Sequence, residues 1–180
     1  MRKLAVSSFI SLDGVIESPM TWMLPFFDDQ SKEYAYQQLA DVDVFLLGRA
    51  TYDIFSAHWP QIRGDKYFDR INGLKKLVAS TTLNDVTWNA SVIAGDVAAT
   101  LTALKAQRGG TIMKYGITQL DRTLLANKLV DEYNVWIMPT VVGKGKHAFE
   151  DVGASLPRLD LVEVRQFDSG SAILRYSPQY

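Results

Sequence analysis

Short apolar runs alternate with amphipathic stretches along most of the chain, and this alternation restricts the fold more than any other feature of the sequence. The runs have the length of buried strands. The stretches between them carry apolar residues at helical spacing, so that each helix has one buried face. Strands separated by such helices pair in parallel, with helices on both faces of the sheet. The sequence therefore predicts an α/β protein.

The predicted strands cover residues 3–10, 43–47, 76–80, 91–94, 111–115 and 132–138, and the predicted helices cover 28–40, 49–57, 65–71, 96–107 and 118–126. The end of the chain differs, because 159–167 and 171–176 flank a turn with the sequence Asp-Ser-Gly and are typical of an antiparallel hairpin. We expect a mixed, mostly parallel sheet. No repeat or linker interrupts residues 1–180, which predicts a single domain.

Composition excludes several classes of function. The 180 residues are 47% hydrophobic and 22% charged, which suits a globular protein with a substantial core. A net charge of −1 argues against nucleic acid and a membrane surface as partners. The absence of cysteine excludes disulfides and thiolate catalysis, and the two histidines stand in no cluster with ligand spacing, so we expect no metal.

The sequence also predicts a cytoplasmic location. The basic start of the chain is followed by too short an apolar run for a signal peptide. No segment approaches the roughly 20 apolar residues that span a bilayer.

Residues suited to binding an anion follow the predicted strand at 43–47. Gly48 ends the strand, and a helix begins directly after it with Arg49 and Thr51 in its first turn. Unpaired backbone N–H groups at a helix start attract anions, and a guanidinium binds phosphate in a bidentate geometry. The motif indicates a phosphate-bearing ligand. In the alternative interpretation, Gly48 only permits a tight turn, Thr51 caps the helix and Arg49 is solvated.

Two further strand ends carry similar chemistry. One predicted strand ends in the hydroxyl residues Ser80, Thr81 and Thr82, and Gly116 and Thr118 follow another. Hydroxyl groups can bond phosphate or ribose oxygens, although serine and threonine are also ordinary turn residues. Ligands bind at the carboxyl ends of parallel strands, so three such ends predict an extended, polyphosphate-like ligand.

Five short motifs together resemble a known family: Ser11-Leu12-Asp13-Gly14, Leu47-Gly48-Arg49-Ala50-Thr51-Tyr52, Ser80-Thr81-Thr82-Leu83, Leu129-Val130-Asp131-Glu132 and Pro139-Thr140-Val141-Val142-Gly143-Lys144-Gly145. Their order is similar to that in the dihydrofolate reductase superfamily, in the branch of the riboflavin-pathway reductase, the C-terminal domain of a bifunctional deaminase–reductase. The resemblance implies a three-layer α/β/α dihydrofolate-reductase-like fold. It also implies NADPH as cofactor and hydride transfer to a small heterocyclic or ribosylamino-pyrimidine-like substrate.

The resemblance assigns eight residues to NADPH binding: Gly48, Arg49, Thr51, Ser80, Thr81, Gly116, Ile117 and Thr118. The first three would lie on the phosphate side, the next two near the adenosine ribose and its 2′-phosphate, and the last three under the pyrophosphate. The family usually carries a second glycine directly after Gly116. This chain has Ile117 there, which leaves the geometry at the pyrophosphate open.

The substrate side carries four candidates. Trp22 and Asp28 lie in a loop that is similar to the tryptophan–proline loop of folate reductases, but Phe27 stands near the position of their substrate-binding carboxylate. We therefore expect little or no reduction of dihydrofolate. Asp28 either binds substrate or caps the following helix. Trp22 and Trp59 either wall an aromatic pocket or pack in the core. Asp13, the candidate catalytic residue, either hydrogen-bonds the substrate or nicotinamide amide or forms a turn.

The C-terminal hairpin predicts a homodimer. Its apolar residues exceed what a terminal hairpin usually needs: Leu159, Leu161, Val164, Phe167, Ile173 and Leu174. A sheet edge must be paired or covered, and two-fold dimers are the commonest oligomers. The resemblance points the same way. The alternative is that the hairpin covers only the core of its own chain.

Two classes of function remain, an NADPH-dependent reductase and a catalytically silent nucleotide-binding module on the same fold, because a fold does not determine a function. A serine hydrolase is disfavoured, since the chain has no Gly-x-Ser-x-Gly motif.

Overall fold

The computed structural model describes residues 1–150, 152–153 and 157–180, and within them one sheet of eight strands forms the centre. The strands are β1 (Leu4–Ser11), β2 (Val42–Gly48), β3 (Lys75–Ala79), β4 (Ala90–Ile93), β5 (Thr111–Tyr115), β6 (Glu132–Met138), β7 (Arg158–Gln166) and β8 (Ala172–Gln179). Their spatial order is β4-β3-β2-β5-β1-β6-β8-β7. The pairs from β4 to β6 are parallel, whereas β6–β8 and β8–β7 are antiparallel. The predicted mixed sheet with a C-terminal hairpin is confirmed.

Helices cover both faces of the sheet: α1 (Asp29–Gln37), α2 (Arg49–His58), α3 (Lys66–Gly73), α4 (Val97–Ala106) and α5 (Leu120–Ala126). Helices α4 and α5 pack on one face, and α1, α2 and α3 pack on the other. This is the predicted three-layer arrangement. In the ranges described above, no helix combines the length and hydrophobicity needed to cross a membrane.

The central strand β2 shows why its sequence is a continuous apolar run. Val44 and Leu46 pack with α4 and α5, whereas Phe45 and Leu47 pack with α2 and α3. Successive side chains of a strand point to opposite faces, so a strand covered on both faces needs apolar residues at every position.

The helix boundaries follow from their caps. Asp28, Asp65 and Asp96 each accept a backbone N–H bond at the start of α1, α3 and α4. Helix α5 begins at Leu120 rather than at the predicted residue 118. The reason is that Thr118 N–H donates to the Asp121 carboxylate at 2.7 Å, which places Thr118 in a turn before the helix.

The hairpin buries only part of its apolar side chains. Phe167 and Ile173 are buried against Trp136 and its neighbours. The expectation that these two add to a free hydrophobic surface is therefore wrong, since they cover the core of their own chain. Leu161 and Val164 remain 54% and 59% exposed on the edge strand β7.

Asp13 joins the loop after β1 to the loop after β6. Its Oδ1 accepts the Ser11 hydroxyl at 2.6 Å and the Val142 N–H at 3.1 Å, and its Oδ2 accepts the Gly143 N–H at 2.8 Å. These bonds, led by that from Ser11, lower the pKa of Asp13 to about 2. The carboxylate therefore stabilises this junction as an anion.

We expect Asp13→Asn to lower the thermal stability at pH 7, because the amide accepts these bonds less well than a carboxylate. The folded-state pKa lies below the unfolded value, so the stabilisation is complete above the unfolded pKa of 3.8 and is lost as the pH falls toward about 2. Thermal unfolding followed by circular dichroism from pH 7 to 2.5 should show that the difference in melting temperature between Asp13→Asn and the wild type narrows below about pH 4.

The matched control is Asp29→Asn, because the Asp29 side chain is exposed. This variant should melt close to the wild type throughout. A difference in melting temperature between Asp13→Asn and the wild type that stays constant down to pH 2.5 would contradict the stabilising role of the Asp13 carboxylate.

Candidate functional site

The carboxyl ends of β2, β3 and β5 lie side by side at one edge of the sheet. Gly48 pairs with Ala79 of β3, and Leu46 pairs with Lys114 of β5. The hydroxyl oxygen of Thr118 lies 3.9 Å from the position that a Cβ on Gly48 would occupy. The structure thus brings together the three strand ends predicted from sequence.

Helix α2 begins directly at this edge without a side-chain cap. Gly48 occupies the N-cap position with extended backbone and has no side chain to accept an N–H bond. Thr51, in the third helical position, does not cap the helix. The first backbone N–H groups of α2 therefore remain as donors with a partial positive charge, which favours an anion.

Arg49 extends from this helix start toward the end of β3. Its Nη1 donates to the Thr82 hydroxyl, and its Nε donates to Asp53 at 3.4 Å. The Arg49 side chain is half-exposed. A guanidinium has five N–H donors, so the rest stay available for a phosphate. Thr82 belongs to the run of three hydroxyl residues that the sequence places at this strand end, but its bond to Arg49 was not predicted.

Ser80 and Thr81 lie at the end of β3, as predicted. The Ser80 hydroxyl oxygen accepts the backbone N–H groups of Thr82 at 3.2 Å and Leu83 at 3.0 Å. Serine thus forms the turn, while its hydroxyl hydrogen is still available to a ligand. Thr81 is exposed.

The turn after β5 consists of Gly116, Ile117 and Thr118, and we call it the 116–118 turn. Gly116 has φ +75°, a conformation that glycine adopts without strain. The Ile117 side chain is buried in the core beneath α5. The isoleucine in place of the second glycine therefore packs inward and does not fill the outer side of the turn. Among the described residues, no acceptor bonds the Ile117 N–H.

The Asp28 carboxylate stabilises the fold by accepting two backbone hydrogen bonds. Its Oδ1 accepts the Ser31 N–H at 2.8 Å, which caps α1, and its Oδ2 accepts the Ser169 N–H at 3.0 Å. These bonds, led by that from Ser31, lower the pKa of Asp28. The capping interpretation is confirmed, and both oxygens already hold a backbone donor.

The aromatic candidates lie in different parts of the core. Phe27 packs against Phe9 and Trp136, with ring centroids 5.3 and 5.7 Å away. Trp22 belongs to this aromatic cluster, whereas Trp59 stacks on Phe55 in the cluster beneath α2 and α3. The two tryptophans therefore do not wall one pocket together.

Asp13 lies at the carboxyl end of β1, two strands from the start of α2. With a pKa of about 2 and three donors already bound, its carboxylate is suited to accept hydrogen bonds and not to donate a proton. Across the described part of the chain, no group of three or more His, Asp and Glu side chains is placed to hold a metal ion.

Comparisons with known proteins identify the family and the fold of the chain. The chain is 28% identical to the uncharacterized protein YyaP of Bacillus subtilis (strain 168), over 97% of this chain and 94% of that protein. A putative riboflavin biosynthesis protein from Shewanella sp. PV-4 superposes with a TM-score of 0.75 and 18% identity, covering 99% of both chains.

A dihydrofolate reductase from Enterococcus faecalis, solved in complex with NADP(H), superposes with a TM-score of 0.65 and 13% identity, covering 99% of this chain and 97% of that chain. At these identities the solved structures show a shared dihydrofolate-reductase-like fold. The family model of the RibD C-terminal domain matches residues 2–173. The chain therefore belongs to the RibD C-terminal domain family, a family of the reductase type.

Proposed function

We propose that this protein is an NADPH-dependent reductase that transfers a hydride to a small heterocyclic substrate of the ribosylamino-pyrimidine type. The observation that carries the proposal is the convergence of the uncapped α2 start, Arg49 and the 116–118 turn at one edge of the sheet. Such an edge suits a ligand with several phosphates, because it offers backbone donors and a guanidinium together. Membership of a reductase-type family supports the redox assignment.

In this proposal each strand end binds a different part of NADPH. Arg49 binds the 2′-phosphate, and Ser80 and Thr81 contact the adenosine ribose. The α2 start and the 116–118 turn bind the pyrophosphate. Asp13 holds the loop that contains Val142 and Gly143 beside the reacting end of the cofactor. NADPH itself supplies the hydride.

A catalytically silent NADPH-binding module is the second candidate. It is favoured by one observation, that Asp13 and Asp28 both have their oxygens occupied by structural donors. A crystal structure with NADPH separates the two candidates. An open face of the nicotinamide ring supports the reductase, whereas a ring covered by side chains supports the module.

We expect Arg49→Ala to weaken NADPH binding and to leave NADH binding almost unchanged, because only NADPH carries the 2′-phosphate. The loss of one charge-assisted contact costs about 1.5–3 kcal/mol, or roughly tenfold to over a hundredfold in affinity. Fluorescence titration of both cofactors measures the effect.

The matched control is Arg108→Ala, because Arg108 is exposed and precedes β5 at the opposite edge of the sheet. Both cofactors should bind this variant as they bind the wild type. Equal losses of NADPH and NADH for Arg49→Ala would overturn its assignment to the 2′-phosphate.

We also expect weak or absent reduction of dihydrofolate. By the resemblance, Phe27 stands near the position where folate reductases carry their carboxylate, and its ring packs among other aromatic rings. General acid–base assistance typically contributes 10²–10⁴-fold, so its loss is easily seen in a standard spectrophotometric assay. Robust turnover by the purified protein would show that another group takes this role.

We propose that the chain forms a homodimer, in which a second copy of the chain associates along β7. This strand ends the sheet, and Leu161, Val162 and Val164 are each more than half exposed on it. An exposed apolar edge strand is prone to pair with another chain, and a two-fold axis closes the assembly at a dimer.

We expect light scattering at micromolar concentration to give twice the mass of one chain. Leu161→Lys combined with Val164→Lys should yield monomers, because two buried charges per chain oppose association. Ile54→Lys is the control, since Ile54 is similarly exposed but lies on α2. A clean monomer mass for the wild type would end the proposal.

A further inference from the structure

A buried ion pair lies directly beside the 116–118 turn. Lys114, in β5, and Asp121, in the first turn of α5, are joined by an Nζ–Oδ2 distance of 2.6 Å. Their side chains are 1% and 0% exposed. Both charges are therefore removed from water, and neither lies at the surface where it could contact a ligand itself.

Each partner of the pair also holds one end of the turn. Lys114 Nζ donates to the Gly116 carbonyl, and Asp121 Oδ2 accepts the Thr118 N–H at 2.7 Å. The residue between these two anchors is Ile117, whose side chain is buried. The backbone of the turn is thus held on both sides of the Ile117 N–H, a donor without an acceptor among the described residues.

Stability alone is a weak explanation for such a pair. Removing two charges from water costs about as much as their attraction returns, and apolar side chains of similar volume often stabilise a fold as well. Burial lowers the pKa of Lys114, and the Asp121 carboxylate opposes that shift. The second oxygen, Asp121 Oδ1, is buried without a hydrogen bond in the described structure. The pair differs from an apolar one mainly in the two directional bonds to the turn.

We propose that Lys114 and Asp121 are positioning residues for the pyrophosphate of the cofactor, an inference that rests on the proposed NADPH binding. They hold the 116–118 turn in its binding conformation before the ligand arrives, so that less ordering is needed on binding. A second glycine would bring the backbone close to a phosphate through conformational freedom. This chain instead uses a buried side chain and two polar anchors.

The test is the double variant Lys114→Met/Asp121→Leu, which removes both anchors and leaves no unpaired buried charge. The two probes are NADPH and 2′-AMP, which carries the 2′-phosphate but no pyrophosphate. We expect about a tenfold loss of NADPH affinity, the scale of one net hydrogen bond, and unchanged 2′-AMP affinity. Isothermal titration calorimetry measures both.

A second variant separates the two anchors. Lys114→Met/Asp121→Asn keeps an amide oxygen that can accept the Thr118 N–H but loses the donor to Gly116. We expect its NADPH affinity to lie between those of the wild type and the first variant. A merely structural role would predict equal effects on NADPH and 2′-AMP in both variants.

The matched control is a second ion pair, at the opposite edge of the sheet, in which the lysine is buried and the aspartate side chain is 37% exposed. Lys105 donates to Asp131, which precedes β6, and to the Leu129 carbonyl at 2.6 Å. Lys105→Met/Asp131→Asn should change the melting temperature without changing the NADPH affinity by more than about twofold, since distant sites act independently.

The outcomes are distinguishable. Equal NADPH affinity of the wild type and Lys114→Met/Asp121→Leu overturns the inference and leaves the proposed function intact. Equal losses of NADPH and 2′-AMP also overturn it. If the folded wild type binds no NADPH, the proposed function fails, and cofactor-free amide exchange decides whether the pair orders the turn. The amide exchange of Gly116 and Thr118 is then measured in Lys114→Met/Asp121→Leu. If it is no faster than in the Lys105→Met/Asp131→Asn control, that role is overturned as well.

Discussion

The parallel register between β2 and its two neighbours is the constraint on which the site depends. Gly48 pairs with Ala79, and Leu46 pairs with Lys114, so three strands end at one level and their loops meet. A shift by one residue would exchange the side chains that β2 packs on its two faces, Val44 and Leu46 on one and Phe45 and Leu47 on the other. Because β2 is covered by helices on both faces, the packing that stabilises the core also holds the α2 start beside the 116–118 turn.

Among the described residues, the same edge of the sheet holds backbone donors that have no partner within the chain. Helices α1, α3 and α4 each have an aspartate cap, whereas α2 starts at a glycine. The 116–118 turn is held from below by Lys114 and Asp121, yet the Ile117 N–H has no acceptor in the described structure. Unpaired donors in a rigid setting suit an anionic ligand, because binding then requires little reorganisation.

The acidic side chains that the sequence predicts as substrate candidates are, in contrast, already hydrogen-bonded within the chain. Asp13 and Asp28 accept backbone N–H bonds from segments far along the chain, and Phe27 packs among aromatic rings. These groups organise loops and caps. The polar groups that remain available to a ligand are therefore concentrated at the ends of β2, β3 and β5, whereas these candidate side chains are aromatic or structural.

The sequence by itself determined the elements, the type of sheet and the three strand ends, because these depend on local periodicity and on glycine and hydroxyl residues at short spacing. Only the tertiary structure decided that Ile117 packs inward, that Thr82 bonds Arg49, that the two tryptophans lie apart and that Lys114 pairs with Asp121 under a turn. Asp13 also accepts bonds from Val142 and Gly143, and Asp28 from Ser169, and these partners are more than 100 residues away along the chain. Such contacts are set by which strands and loops become neighbours in space, and hydrophobic periodicity carries no information about that choice of partner.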